Sequence, residues 1–177
     1  MTTSGRGERM LCRITEFMRL EHISTELQAT DKPSLLRELS ALICTSQANL
    51  SADDVYAKLL EREAKASTGA DHGVAIPHAT LPQIQELTLG FGLSKRGIPF
   101  AALDNKDSNL FFVVLAPRSS APKRVSYLQL ISAICRLMRS PSLRKKLLNA
   151  HGANDVFTIL EHEETLRMNS PAVTLYP

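Results

Sequence analysis

The pattern of apolar residues specifies a layered α/β domain. Three observations carry that reading: a one-sided apolar stripe of helical period at residues 33–48, β-rich segments at residues 88–94 and 110–115, and a return to helical periodicity from residue 122. Leu35, Leu36, Leu39, Leu42 and Ile43 form the first stripe, and Pro33 suits the opening turn, where a missing N–H costs nothing. A second helix starts at Ser51, with Asp54 three residues on in the manner of a capping box; Val55, Leu59 and Leu60 face inward and the helix fades near Glu63. Leu89, Phe91 and Leu93 alternate within residues 88–94, the period of a strand with one buried face. Residues 110–115 are continuously apolar, which marks a central strand, and Pro117 ends it. From 122 to 139 the positions Val125, Leu128, Leu130, Ile131, Ile134 and Leu137 make a helix apolar on several sides, hence well buried. Ser140 and Pro141 restart a short helix as N-cap and first residue, and a last helix spans residues 154–163.

The 177 residues suit one domain, 13–164, between a polar N-terminal tail, 1–12, and a C-terminal tail, 165–177, that has little periodicity and two prolines. A chain of this length buries roughly 70% of its unfolded surface, enough for a core without disulfides or a metal. Cys12, Cys44 and Cys135 are scattered and form no paired motif, which fits a reducing compartment and roles as small hydrophobes. The first ten residues lack an apolar centre, and the longest apolar run, 110–116, is too short to cross a bilayer. These features predict a cytoplasmic protein with no membrane span.

The net charge is +3, but residues 108–154 contain no acidic side chain and eight Lys or Arg: Arg118, Lys123, Arg124, Arg136, Arg139, Arg144, Lys145 and Lys146. Such a stretch is either a solvated helix face or a surface for phosphate, an acidic partner or nucleic acid. Sparse aromatics and the lack of a reader motif argue against nucleic acid.

The chemistry concentrates in residues 61–79. Ser67-Thr68-Gly69 and Asp71-His72-Gly73 are turn signals, and the apolar Val74-Ala75-Ile76 delivers Pro77 and His78. Pro77 restricts the backbone on both sides, so His78 is presented by a stiff chain. Neutral imidazole is a competent nucleophile near pH 7. Gly69 and Gly73 let backbone N–H groups approach an anion, Thr68 offers a hydroxyl donor, and Arg62 supplies a permanent cation for phosphoryl oxygens. Phosphoryl transfer needs mainly positioning and charge stabilisation, which this set can provide. Taken alone, a histidine after a proline also fits a structural or solvated residue. His72 and His78 lack the spacing and companions of a metal site.

Ser67-Thr68-Gly69 followed by Gly73-Val74-Ala75-Ile76-Pro77-His78 resembles the phosphorylation-site signature of enzyme IIA domains of the bacterial phosphotransferase system, of the mannitol/fructose class that includes the nitrogen-regulatory proteins. Arg62 stands sixteen residues before His78 (78 − 62 = 16), as the family's arginine does. Pro99-Phe100, Leu103-Asp104-Asn105 and the strand ending at Ala116-Pro117 also fit, so the resemblance covers residues 14–162. It implies a mixed sheet of about five strands sandwiched between helices. It implies that His78 accepts a phosphoryl group from a small histidine-containing phosphocarrier protein, itself charged by enzyme I, with no cofactor. Arg62 and Thr68 would hold the phosphoryl oxygens, assisted by the loop at Gly69 and Gly73. The phosphoryl group would pass to a IIB domain or set which target proteins are bound. With no IIB or membrane segment attached, the chain is most like the nitrogen-regulatory branch.

Two departures from the family pattern matter. A second histidine usual near the start of the long helix is replaced by Tyr127, whose phenol donates a hydrogen bond but does not share imidazole's charge. Tyr127 is therefore either a phosphoryl-facing donor or an amphipathic residue at the core's edge. The loop reads Gly69-Ala70-Asp71-His72-Gly73, so His72 is either a replacement imidazole or a solvated loop residue. The competing reading is a regulatory binding module that keeps the fold and has lost efficient transfer. Lys123 and Arg124 are candidate docking cations for an acidic partner.

Overall fold

The computed structural model describes residues 12–47, 49–102, 104–118 and 125–169. Most of the expected N-terminal tail, Lys123, Arg124 and residues 170–177 lie outside the described residues.

A 3-10 turn, Ile14–Phe17, leads into β1, Met18–Ser24. Two helices follow, α1, Lys32–Cys44, and α2, Ala52–Lys65. Asp31 caps α1 in a reciprocal box with Ser34, and the Ser51 hydroxyl accepts from the Asp54 N–H to cap α2. Two short strands, β2, Val74–Ala75, and β3, His78–Leu81, flank Pro77. The long strands β4, Thr88–Ile98, and β5, Ser108–Pro117, form an antiparallel pair. Three helices follow: α3, Tyr127–Met138, α4, Pro141–Leu148, and α5, Ala153–Asn169.

The result is the five-stranded mixed sheet that the sequence predicts. Its order is β1-β4-β5, with β2 and β3 end to end along the far side of β5. Parallel pairing joins β1 to β4 and both short strands to β5. One face carries α1 and α2 over Ala79, Leu81, Phe111, Val113 and Leu115. The other carries α3, α4 and α5 over Leu89, Phe91, Leu93, Leu110, Phe112 and Val114. Because β5 is covered on both faces, its residues cannot alternate with polar ones, and the continuous apolar run follows.

Four expectations need correction. The β4 segment 88–94 is buried on both faces, with Gly90 and Gly92 in the alternate positions. A Cβ on Gly92 would stand 2.6 Å from Leu27 Cδ1 and 3.0 Å from Leu39 Cδ2 of α1, so glycine is what lets Leu27 and α1 close over this strand. The third long helix starts at Tyr127, because Ser126 and Gln129 form a reciprocal capping box there. That helix is also not buried all round: Leu128 is 64% exposed. Finally, α5 runs to Asn169, so residues 165–169 are helical rather than a loose tail. Glu164 explains the extension. It is 5% exposed, and its carboxylate accepts from the Ile14 N–H and the Thr15 hydroxyl, tying α5 to the 3-10 turn.

Candidate active site around His78

His78 is the first residue of β3, an edge strand of the sheet. Pro77 has no N–H to give the ladder, yet its carbonyl still accepts from Val114 N at 2.9 Å, so the chain keeps its place beside β5. Ala79 and Leu81 alternate into the α1/α2 layer. The same alternation turns His78 to the opposite side, where Tyr127 opens α3. The two rings lie 5.6 Å apart between centroids, tilted by 47°. Arg62 arrives from the last turns of α2: its Nε donates to His78 Nε2 at 2.9 Å and its Nη1 donates to the Ala66 carbonyl at 2.9 Å.

These bonds fix the ring. Nε2 accepts from a guanidinium, which is always a donor, so Nε2 carries the lone pair. Nδ1 then bears the proton and donates it to the Ile76 carbonyl at 2.8 Å. Desolvation pushes the His78 pKa below its usual value; the Ile76 bond opposes this, the Arg62 charge adds to it, and Glu63 opposes. The imidazole is therefore neutral near pH 7, with Nε2 as its nucleophilic atom.

His78 lines a cleft of about 330 Å³ together with Lys58, Arg62, Lys65, Arg118 and Tyr127. Four cations stand there against one carboxylate, Glu61, which pairs with Lys58 at 2.7 Å and Lys65 at 3.4 Å. Arg118, from the acid-free stretch, thus reaches the site. A larger cleft of about 460 Å³, between the 3-10 turn and residues 83–88, contains no histidine, so size does not locate the chemistry.

The remaining candidates sit elsewhere. The Thr68 hydroxyl donates to Glu63 and its residue is 9% exposed, so it is engaged inside the protein, not directed at the cleft. Gly69 backs onto a neighbouring segment: a Cβ there would stand 2.6 Å from Ala102 Cα. His72 and Gly73 occupy a turn with φ of 66° and 74°. His72 is exposed, its N–H donates to Asp104 Oδ2 at 3.0 Å, and neither residue lines the His78 cleft. The structure thus assembles His78, Arg62 and Tyr127, and makes Thr68, Gly69, His72 and Gly73 part of the surrounding scaffold.

Sequence reading missed Glu63, Lys58, Lys65 and Lys32. Glu63 is 8% exposed and receives Lys32 Nζ at 2.7 Å and the Thr68 N–H at 3.0 Å. Its signal was present as a carboxylate on the inward face of an amphipathic helix, in register with Val55 and Leu59.

A five-stranded mixed sheet between helical layers is the architecture of the phosphotransferase IIA structures that this chain resembles. The chain belongs to the family described as "Phosphoenolpyruvate-dependent sugar phosphotransferase system, EIIA 2", whose model matches residues 16–163. It is 33% identical over 141 residues to a PTS system fructose-specific EIIA component of Haloferax volcanii, covering 80% of this chain and 90% of that one. It is 31% identical over 150 residues to a nitrogen regulatory protein of Bradyrhizobium diazoefficiens, covering 83% and 94%. The crystal structure of nitrogen regulatory protein IIA-Ntr from Neisseria meningitidis superposes with a TM-score of 0.74 at 30% identity, covering 83% of this chain and 98% of that one. No helix among the described residues is long and apolar enough to cross a membrane.

Proposed function

We propose that the protein is a phosphohistidine carrier in which His78 Nε2 accepts a phosphoryl group from a histidine-containing phosphocarrier protein. The observation that carries this reading is the contact of Arg62 with Nε2 of a neutral ring whose tautomer is set by Arg62 and the Ile76 carbonyl together. In the step, Nε2 attacks phosphorus and the Nε2–P bond forms. The donor's N–P bond breaks, and its electron pair returns to the donor imidazole. The His78 ring keeps its Nδ1 proton and becomes cationic, with the Ile76 carbonyl facing that charge. Arg62 first releases Nε2 and then holds phosphoryl oxygens, so one side chain shields the nucleophile at rest and stabilises the product. Tyr127 packs against the ring and has a phenol donor available to the phosphoryl group.

Phosphorylation adds roughly −1.5 to −2 charge to a cleft dominated by cations, which changes the partners that fit. The outgoing partner is a IIB domain or a regulated target protein. The nitrogen-regulatory relatives at about 30% identity support the regulatory branch, and a cytoplasmic setting belongs to the same reading. Lys58, Lys65 and Arg118 around the cleft favour partners whose docking faces are acidic. Tyr127, in place of a second imidazole, favours one other reading, a binding module that no longer carries phosphate.

Incubation with phosphoenolpyruvate, enzyme I and the histidine carrier, followed by intact mass, separates the two. The carrier reading predicts one acid-labile phosphoryl adduct on wild type and none on His78→Ala. An unmodified wild type, with the donor proteins active on a control, selects the silent module.

A further inference from the structure

Glu63 follows Arg62 in α2, yet the two side chains leave the helix in different directions. Arg62 reaches the outer nitrogen of His78, and Glu63 turns inward to 8% exposure. Its Oε1 accepts from Lys32 Nζ at 2.7 Å, and both oxygens accept from the Thr68 N–H, at 3.0 and 3.1 Å. Oε2 also accepts the Thr68 hydroxyl. Desolvation works against this carboxylate's charge, but the Lys32 ammonium and the Thr68 donors prevail and hold its pKa below the usual range.

The bonds continue past Thr68. The Thr68 carbonyl accepts from the Ile76 N–H at 2.9 Å, and the Ile76 carbonyl accepts from His78 Nδ1 at 2.8 Å. An unbroken series therefore runs from Lys32 through Glu63, Thr68 and Ile76 to the inner nitrogen of the imidazole. Lys32 also lies 4.4 Å over the Phe100 ring, and Ser67 donates to the Phe100 carbonyl at 3.0 Å, which fixes the start of the series against the sheet.

We propose that Glu63 is a positioning residue for His78: by anchoring Thr68 it holds the Ile76 carbonyl where it selects the Nδ1–H tautomer and leaves Nε2 free for the phosphoryl group. Glu63 makes no hydrogen bond to the ring and does not line the cleft; besides its charge, felt by His78 at a distance, it acts through Thr68 and Ile76. One turn of α2 thus serves both ring nitrogens, Arg62 from outside and Glu63 from behind. The consequence for transfer rests on the phosphocarrier reading; the consequence for the ring's proton does not.

The test is nitrogen-15 NMR of the histidine-labelled protein at neutral pH, alongside the rate of His78 phosphorylation by phosphoramidate, a small donor with no docking face. Wild type should show Nδ1 protonated and Nε2 bare. Glu63→Gln and Thr68→Val should populate both tautomers and slow phosphorylation about tenfold, the scale expected when a reacting group is held less accurately. Thr68→Ser, which keeps the hydroxyl, should restore both readouts. If Glu63→Gln fails to fold, Thr68→Val decides, since it keeps the backbone N–H and the side chain's shape. A wild-type tautomer in the folded Glu63→Gln and Thr68→Val proteins overturns the proposal, and so does a Thr68→Ser spectrum as mixed as that of Thr68→Val. If wild type takes no phosphoryl group at all, the phosphocarrier reading fails and the tautomer spectra still decide the role of Glu63.

Discussion

Glu63 and Glu164 are the two buried carboxylates among the described residues, and they do different work. Each sits near the end of a helix and accepts from a backbone N–H and a threonine hydroxyl. Glu63 is neutralised by Lys32 at 2.7 Å, and its hydrogen bonds lead on to His78. Glu164 has only the looser Arg13 at 3.9 Å, and its bonds end at the 3-10 turn, 149 and 150 positions away in the chain. In the proposed mechanism the first carboxylate supports a reacting group; the second ties α5 to the 3-10 turn. Burial and satisfied hydrogen bonds look alike in both, so the path beyond the carboxylate is what distinguishes them.

The comparison can be broken most strongly at Glu164. Glu164→Ala strips the Ile14 N–H and the Thr15 hydroxyl of their acceptor and should cost about 3 kcal/mol in urea unfolding. The same variant should leave the His78 tautomer and its phosphorylation unchanged; an altered tautomer would mean that the two ends of the molecule are coupled. Lys32→Met leaves Glu63 without its cation and should cost about 2 kcal/mol, less than a fully buried pair because Lys32 is partly exposed. It should also raise the pH at which Glu63 takes up a proton.

Acid should unfold the protein in two stages. His22 is fully buried on β1 with Nε2 2.9 Å from Ser46 Oγ, and desolvation chiefly lowers its pKa from 6.5. His78 is lowered for the same main reason. A lowered histidine pKa means that the unfolded chain binds more protons below pH 6.5, so stability is intact above that value and falls beneath it. Glu63, lowered from 4.5, contributes stability that is present above pH 4.5 and lost as the pH falls further. Melting temperature against pH should therefore drop first below 6.5 and again below 4.5, and His22→Leu should flatten the first step. A melting temperature constant from pH 7 to 5 would contradict the histidine assignment.

The smallest effect is expected at the rim of the cleft. Lys58→Glu with Lys65→Glu should slow phosphoryl transfer from the protein donor about threefold at low salt and have little effect at high salt, because exposed charges act on encounter. Transfer from phosphoramidate should respond less. Equal losses with both donors would place these lysines in the transfer step itself.

Much of this was readable from residue order because it depends on local chemistry. The apolar run of β5 and the Ser51 cap express periods or contacts that the chain carries in one stretch, and the Arg62–His78 pairing is what the family resemblance implies. What escaped depends on distant partners. Thr68 reads as a free hydroxyl until Glu63 turns inward, and Glu63, although in register with Val55 and Leu59, has no visible partner until Lys32, 31 positions away, meets it. His72 lies within the motif in sequence, but its left-handed turn carries it to Asp104. Residues 165–177 have little periodicity and two prolines, which hides the last turns of α5, whereas Glu164 docks the helix through a partner 150 positions away. The start of α3 was legible in Ser126 and Gln129, a capping pair hidden within a longer apolar pattern.

The most direct test of the account is the nitrogen that carries the phosphoryl group. Long-range proton–nitrogen NMR of the phosphorylated, histidine-labelled protein should show a single modified ring, His78, with phosphorus on Nε2 and a proton retained on Nδ1. Phosphorylation on Nδ1, or on His72 in place of His78, would contradict it.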